Sequence, residues 1–420
     1  MTTWARRSSR ALGAISLACS LVFAIAPARA AVARPAITKF GPSFVQPTMA
    51  IEAGFALYVA EPNSRQIKKV DFTRNNLVTV HAGTGDECTN TTQACGDGGP
   101  AKNAQLGAPN VLGAAPDGLL IADFASGKIR KVAFNTGIIT TIVGTGVTGY
   151  SGDGGPATSA QIGFAVGAMI MRNGKLYFSD SANNRIRCVG CTGAGIISTV
   201  AGSGKAAGTD PGEVTEASID GVLARQANLL GPVGLAFDPS GALVFADACD
   251  FPSAFGPILF GQAGEPVSYC DSTVRRVIPS GPSAGRIQTI AGTRGIVGST
   301  GMDGMATKAT LRTPGAITYL PGGRLLIGEL GASLVAVVTA STQTQDYTSI
   351  RPAIRCVGCS AGGRISRVAG GVPPIGATGN NGPVRDARLG GATFGGFGGT
   401  HVYVADPVYN EVRRITGLAR

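Results

Sequence analysis

One block recurs six times along this chain: an apolar strand that ends on an acidic residue, a short turn, and a second strand of alternating basic and apolar residues. The copies are LYVAEPNSRQIKKV at 57–70, LLIADFASGKIRKV at 119–132, LYFSDSANNRIRCV at 176–189, LVFADA at 243–248 with STVRRV at 272–277, LLIGEL at 325–330 with PAIRCV at 352–357, and VYVADPVYNEVRRI at 402–415. Alternating apolar residues around clusters of Asp, Asn, Gly or Pro predict two strands joined by a turn. A third strand closing on Gly follows five copies, as LVTVHAG, IITTIVG, IISTVAG, IQTIAG and ISRVAG, and the sixth copy lacks it. Stretches such as PVGLAFD at 232–238 and PGAITYL at 314–320 supply one further strand ahead of each block.

Four short antiparallel strands in each of six units predict an all-β fold, a six-bladed β-propeller of four-stranded antiparallel blades. The blades fall at about 48–83, 109–144, 163–202, 232–292, 314–370 and 393–416, within a single domain over 31–420. Composition agrees: 63 Gly and 24 Pro argue against a helical protein, while 44% hydrophobic and 15% charged residues suit a packed core. The missing outer strand of the last unit has a candidate at the other end of the chain, PAITKFG at 36–42. It is expected to pair beside 411–416 and close the ring, removing an exposed strand edge.

Between blades runs a Gly-rich connector, GDGGPAKNAQL at 96–106 and GDGGPATSAQI at 152–162, with looser copies DGVLARQANL at 220–229, DGMATKATL at 303–311 and NNGPVRDARL at 380–389. Asp97, Asp153, Asp220 and Asp303 hold one position in these copies, with Asn380 in the fifth. They read as turn-capping residues ahead of an Ala-rich helical turn. Calcium is the rival, but each loop offers one carboxylate where a protein calcium site usually gathers several.

The variant motif ANNRIR at 182–187, the connector GYSGDGGPATSAQ at 149–161 and strands of the ITTIVGTG type resemble the NHL-repeat family, both its bacterial exported members and the similar repeats of teneurins. The resemblance runs from about 40 to 416 and implies the propeller. It leaves the activity open, because one architecture hosts unrelated functions. Amidating lyases that resemble this family use His-ligated zinc, which two histidines in different contexts, His81 and His401, do not readily supply. Lactonase-like propellers with a channel calcium, and lyases of the streptogramin-inactivating type, are compatible with the composition, but no motif points to them.

Residues 1–30 read as a secretory signal peptide: Arg6, Arg7 and Arg10, an apolar run from Ala11 to Ala26, and Ala28-Arg29-Ala30 as the cleavage site. Export to the periplasm or the outside is expected, and removing four arginines brings the net charge from +11 to about +7. That charge suits a solvated basic surface or an acidic polysaccharide; nucleic acid is disfavoured by location. No later segment is apolar enough to span a membrane as a helix. With Cys19 gone, eight cysteines form four local couples: Cys88 with Cys95, Cys188 with Cys191, Cys249 with Cys270, and Cys356 with Cys359. Disulfides are the expected reading in an exported chain, with zinc at the two CVGC stretches as the alternative.

Glu61, Asp123, Asp180, Asp247, Glu329 and Asp406 end the second strands. They form either a ring of carboxylates at one face or, since every blade repeats the feature, structural anchors that hold a turn and pair with a basic residue such as Arg185 or Arg187. Chemistry peculiar to this chain is better sought where the repeat breaks. The largest break is the insertion from Cys249 to Cys270, whose Phe251, Phe255, Phe260 and Tyr269 are candidate binding residues, or else pack on the neighbouring blade. A polar insertion at 331–351, with STQTQDYTSI, carries no obvious chemistry, and the bridged loop at 88–95 reads as decoration. No catalytic residue is assigned. The expected function is an exported, monomeric, non-enzymatic scaffold for a protein or glycan partner, needing no cofactor. The alternative is a calcium-assisted hydrolase or lyase, lactonase-like, acting in the central channel.

Overall fold

A computed structural model describes residues 36–205, 220–248, 272–296, 298, 300–301, 304–320, 323–329, 334–339, 354–357, 364–369, 382–383, 389, 393–398, 401–406 and 410–416. Every regular element among them is a strand or a single 3-10 turn. β1 (Ala36–Phe40) comes first. Four regular repeats follow: β2 (Met49–Ala53), β3 (Ala56–Glu61), β4 (Gln66–Asp71) and β5 (Leu77–Ala82); β6 (Pro109–Ala115), β7 (Gly118–Asp123), β8 (Lys128–Ala133) and β9 (Ile139–Val143); β10 (Val166–Arg172), β11 (Lys175–Asp180), β12 (Arg185–Val189) and β13 (Ile197–Ala201); β14 (Pro232–Phe237), β15 (Leu243–Asp247), β16 (Thr273–Val277) and β17 (Ile287–Ala291). The fifth repeat holds β18 (Pro314–Leu320), β19 (Arg324–Glu329), β20 (Leu334–Thr339), β21 (Ile354–Val357) and β22 (Arg364–Ala369). The chain then adds β23 (Gly382–Pro383), β24 (Thr393–Gly398), β25 (His401–Asp406) and β26 (Glu411–Thr416).

Turn chemistry sets the hairpins. The second strand of each of the first three repeats enters a 3-10 turn and leaves it through a left-handed residue, Arg65, Gly127 or Asn184 at φ 50°, 59° and 51°. Gly and Asn are the residue types that adopt this conformation at low cost. The second strands β3, β7 and β15 are buried along their whole length, because both faces of a radial blade meet neighbouring blades.

The innermost strands β2, β6, β10, β14, β18 and β24 touch in that order, and β24 returns to β2. Glycine permits this close approach: a Cβ on Gly234 would lie 2.8 Å from the Gly315 carbonyl oxygen and 2.9 Å from the Ile317 nitrogen. Gly234→Ala should therefore cost about 1–3 kcal/mol, through displacement of β14 from β18. Urea denaturation checks this, and a loss no larger than that of an exposed Gly→Ala control would show that the strands yield freely.

β1 pairs antiparallel with β26, from Ala36↔Thr416 to Phe40↔Val412, so the N-terminal strand completes the blade of the last repeat. Behind this closure Phe40, Phe44, Leu57, Val70, Tyr403 and Val412 form a common core.

The expectation of six equal blades is corrected. Five sheets are four-stranded antiparallel blades, counting β24, β25, β26 and β1 as one, with the two-residue β23 added outside it. The sheet of the fifth repeat departs: β19 pairs with β20, β21 runs parallel to β20, and β22 meets β20 at Val335↔Ala369. The third strand thus comes from the 331–351 insertion, where PAIRCV was expected. Leu334–Thr339 is rich in β-branched residues and much nearer to β19 in the chain, so closing that hairpin costs less loop entropy.

Candidate functional site

The connectors do more than turn. Asp97, from the connector between the first two blades, accepts the Thr141 N–H (3.1 Å) and hydroxyl (2.5 Å) on β9 and the Arg130 Nε–H (2.9 Å) on β8. Asp153 accepts from Thr199 N–H (3.0 Å), Arg187 Nη2 (2.8 Å) and the Tyr150 hydroxyl (3.0 Å). Asp220 takes Thr289 N–H and hydroxyl at 2.8 and 2.9 Å and faces Arg275 at 3.4 Å. Asp97, Asp153 and Asp220 thus clamp the two outer strands of the following blade; Asp303 lies outside the described residues. Burial pushes the Asp153 carboxyl up, but the Thr199, Arg187 and Tyr150 donors outweigh it and hold the pKa below the usual range.

Buried arginines, two of them clamp members, also face the strand-end acids. Arg187 is fully buried and lies 3.6 Å from Asp180, Arg275 lies 3.6 Å from Asp247, and Arg413 lies 3.8 Å from Asp406. The expected partner of Asp180 is thereby resolved as Arg187. Arg185 instead donates to the Asn183 and Ser203 carbonyls and stacks over Tyr150 at 3.6 Å. The acids also accept backbone N–H groups at the entry to their own blades: Glu61 from Val45, Asp123 from Gly107 and Ala108, Asp180 from Gly163, and Asp247 from Leu230, all at 2.8–2.9 Å. Burial pushes the Asp123 and Asp180 carboxyls up despite these donors. Glu329 is buried as well. Among the described residues no group of three or more His, Cys, Asp or Glu is placed to hold a metal ion.

Strand direction puts the second-strand ends and the connectors on one face, and the Cys249–Cys270 insertion leaves from that face, between β15 and β16. Its base is apolar: Ala248 packs with Ala108, Phe124, Ala165 and Val233, where three inner strands begin. Phe164 meets Phe124 edge-on at 5.7 Å and remains 37% exposed. The face thus offers an apolar mouth around Ala248, the last described residue before the insertion. Phe251, Phe255, Phe260 and Tyr269 themselves lie outside the described residues.

Cys88 is bonded to Cys95 and Cys188 to Cys191, with Cα separations of 5.7 and 5.8 Å. The side chains of Cys249, Cys270, Cys356 and Cys359 lie outside the described residues. The loop at 88–95 is not decoration: Thr91 donates to the Gly146 carbonyl, and the Gln93 and Cys95 carbonyls accept from Lys128 and Arg130. One further motif carries no chemistry. Gly281-Pro-Ser-Ala-Gly285 reads G-x-S-x-G, yet it is an exposed turn between two antiparallel strands, not the strand-to-helix elbow of a nucleophile.

Residues 45–151 match the family model of the teneurin NHL domain. Teneurin-1 of Gallus gallus is 38% identical over 99 residues, a stretch that covers 21% of this chain and 4% of that protein. The chain thus spans only a small part of the curated relatives it matches. Among solved structures, an auxiliary nutrient binding protein from Bacteroides ovatus ATCC 8483 is 12% identical at a TM-score of 0.51, covering 91% of this chain and 76% of that one. Another from Bacteroides thetaiotaomicron VPI-5482 is 11% identical at 0.50, covering 90% and 69%. At such identities the likeness is one of fold. Taken with the recurrent blade and its closed circle of inner strands, these matches show a β-propeller whose residues 45–151 are similar to the teneurin NHL domain.

Proposed function

We propose that the protein is an exported, disulfide-stiffened binding scaffold that presents the connector face to a protein or glycan partner, with the 249–270 insertion as the contact element. The observation that carries this reading is the division of labour on that face. The repeated carboxylates are engaged with backbone N–H groups and buried arginines, while Ala248, after which the largest break in the repeat follows in the chain, sits in an apolar mouth. Phe251, Phe255, Phe260 and Tyr269 are the residues assigned to contact. The segment 1–30 directs export, and the propeller of 31–420 acts as one domain and a monomer. Local disulfides suit the oxidising compartment that export implies. Solved propellers of this fold include nutrient binding proteins, although the fold alone names no partner.

The test compares wild type with a variant carrying Ala at those four positions. Retention on immobilised neutral and acidic polysaccharides, and cross-linking to envelope proteins, should fall at least about tenfold in the variant at unchanged thermal stability, since aromatic anchors dominate such contacts. Equal retention would remove the insertion from the reading. Turnover of lactones or aryl esters by the wild type, abolished by chelator, would favour the calcium-assisted alternative.

A further inference from the structure

The outer edges of three successive blades are each finished by the preceding connector. Gly98 N–H donates to the Ile139 carbonyl, Ile139 N–H to Gly99 and Ala101 N–H to Gly137, at 2.8–3.1 Å along the edge of β9. The same pattern joins Gly154, Gly155 and Ala157 to Ile197 and Gly195, and Gly221, Val222 and Ala224 to Ile287 and Gly285. In the last blade β23 plays this part against β1.

The first blade is different. Its connector, residues 41–48, runs from β1 to β2 and contains no acidic residue. Among the described residues nothing pairs with the outer edge of β5. The side chains have changed to match. Arg130 opposite Thr141, Arg187 opposite Thr199 and Arg275 opposite Thr289 are the clamp pairs, and Lys68 opposite Val80 stands in their register. Leu77 is 48% and Val80 40% exposed on this edge. Lys68 donates to Gln66 Oε1 and has Glu61 at 3.8 Å, but no connector aspartate reaches it as one reaches each arginine.

We infer that the outer edge of β5 is a docking strand for an extended segment of a partner protein that carries an acidic side chain aimed at Lys68. The segment adds to the sheet as the chain's own connectors do, its backbone pairing around Val78 and its carboxylate replacing the missing connector aspartate. Charge complementarity selects this occupant. A second copy's β5 brings no free carboxylate, since its nearby Asp71 is held by Lys69 and by Thr73. The inference is independent of the insertion and its partner.

The probe is a labelled peptide of the chain's own connector sequence, GYSGDGGPATSAQ, titrated into the purified mature protein and read by fluorescence anisotropy. Saturable binding is expected, weakened at least about tenfold when the peptide carries Asp153→Asn or the protein carries Lys68→Met, and lost with Val80→Pro. Restoring the clamp pair with Lys68→Arg and Val80→Thr should tighten it. The peptide substitution leaves the protein untouched, so it reads the contact even where a protein variant folds poorly. The insertion variant should bind the peptide as wild type does. No saturable binding up to millimolar peptide, or equal binding of the Asp and Asn peptides, would overturn the inference. So would a dimer, seen by light scattering, that Val80→Pro dissolves, since that would make the occupant a second copy.

Discussion

Arg187→Ala is expected to lower the unfolding free energy by about 3–5 kcal/mol, the cost of stripping the partner from a buried charge. Arg187 is fully buried and donates to the Gln161 and Ser151 carbonyls at 2.8 and 2.7 Å as well as to Asp153. Its loss leaves the fully buried Asp180 without the cation 3.6 Å away and removes the side-chain bonds by which the third blade holds Asp153 and the connector carbonyls, while the backbone bonds of the connector remain. Arg185→Ala is the control: it removes a half-buried cation–π contact over Tyr150 and two bonds to the Asn183 and Ser203 carbonyls but strands no buried charge, and should cost about 1–2 kcal/mol. A double variant, Arg187→Met with Asp180→Asn, should recover part of the loss, because neither residue then carries an unpaired charge. Urea denaturation of the four proteins decides it, and equal losses for the two single arginine variants would mean that Arg187 is no anchor.

Acidification from pH 7 to pH 4 should cost the wild type about 3 kcal/mol through His81 alone. Burial, with Lys69 as a lesser influence, holds the imidazole pKa at about 4 against an ordinary 6.5. Its ring meets Tyr58 edge-on at 4.7 Å, and among the described residues Nε2 has no hydrogen-bond partner. Above the unfolded value the ring is neutral in both states. As pH falls through 6.5 the unfolded chain takes up a proton that the fold refuses, so stability declines until the folded group also titrates near 4. His81→Ile, which places there the residue type of Ile142 and Ile290 at the same strand position, should flatten this dependence. The buried Asp123 and Asp180, whose carboxyls burial pushes up, lose stability as pH rises, the opposite slope. Both proteins share that background, and the difference between their pH profiles isolates His81. Parallel profiles would exclude it.

Strands, turns and the pairing of the two chain ends were legible because they depend on local alternation and on turn-forming residues, and the repeats acted as their own alignment. The fifth repeat was misread because two β-rich segments competed for one place, and the repeat pattern favours the farther one while loop entropy favours the nearer. Arg185 and Arg187 lie on one side of β12, so spacing alone could not say which reaches Asp180. The clamp was nonetheless present in the sequence: Asp97, Arg130 and Thr141 recur together as Asp153, Arg187 and Thr199, and the loss of Arg and Thr in the first repeat coincides with a connector that has no aspartate. Reading the aspartates within their own loops hid this, because their partners lie over thirty residues downstream.

The way each connector is laid over the following blade has a consequence for how such chains grow. A duplication cut at the blade boundary would leave one outer edge bare and one aspartate without its arginine. The unit that can be copied intact starts at a connector and ends with the strand it covers, as in residues 83–143. Lineages that lengthen or shorten rings of this kind should therefore carry their breakpoints at the last Gly of an outer strand, offset from the blades themselves.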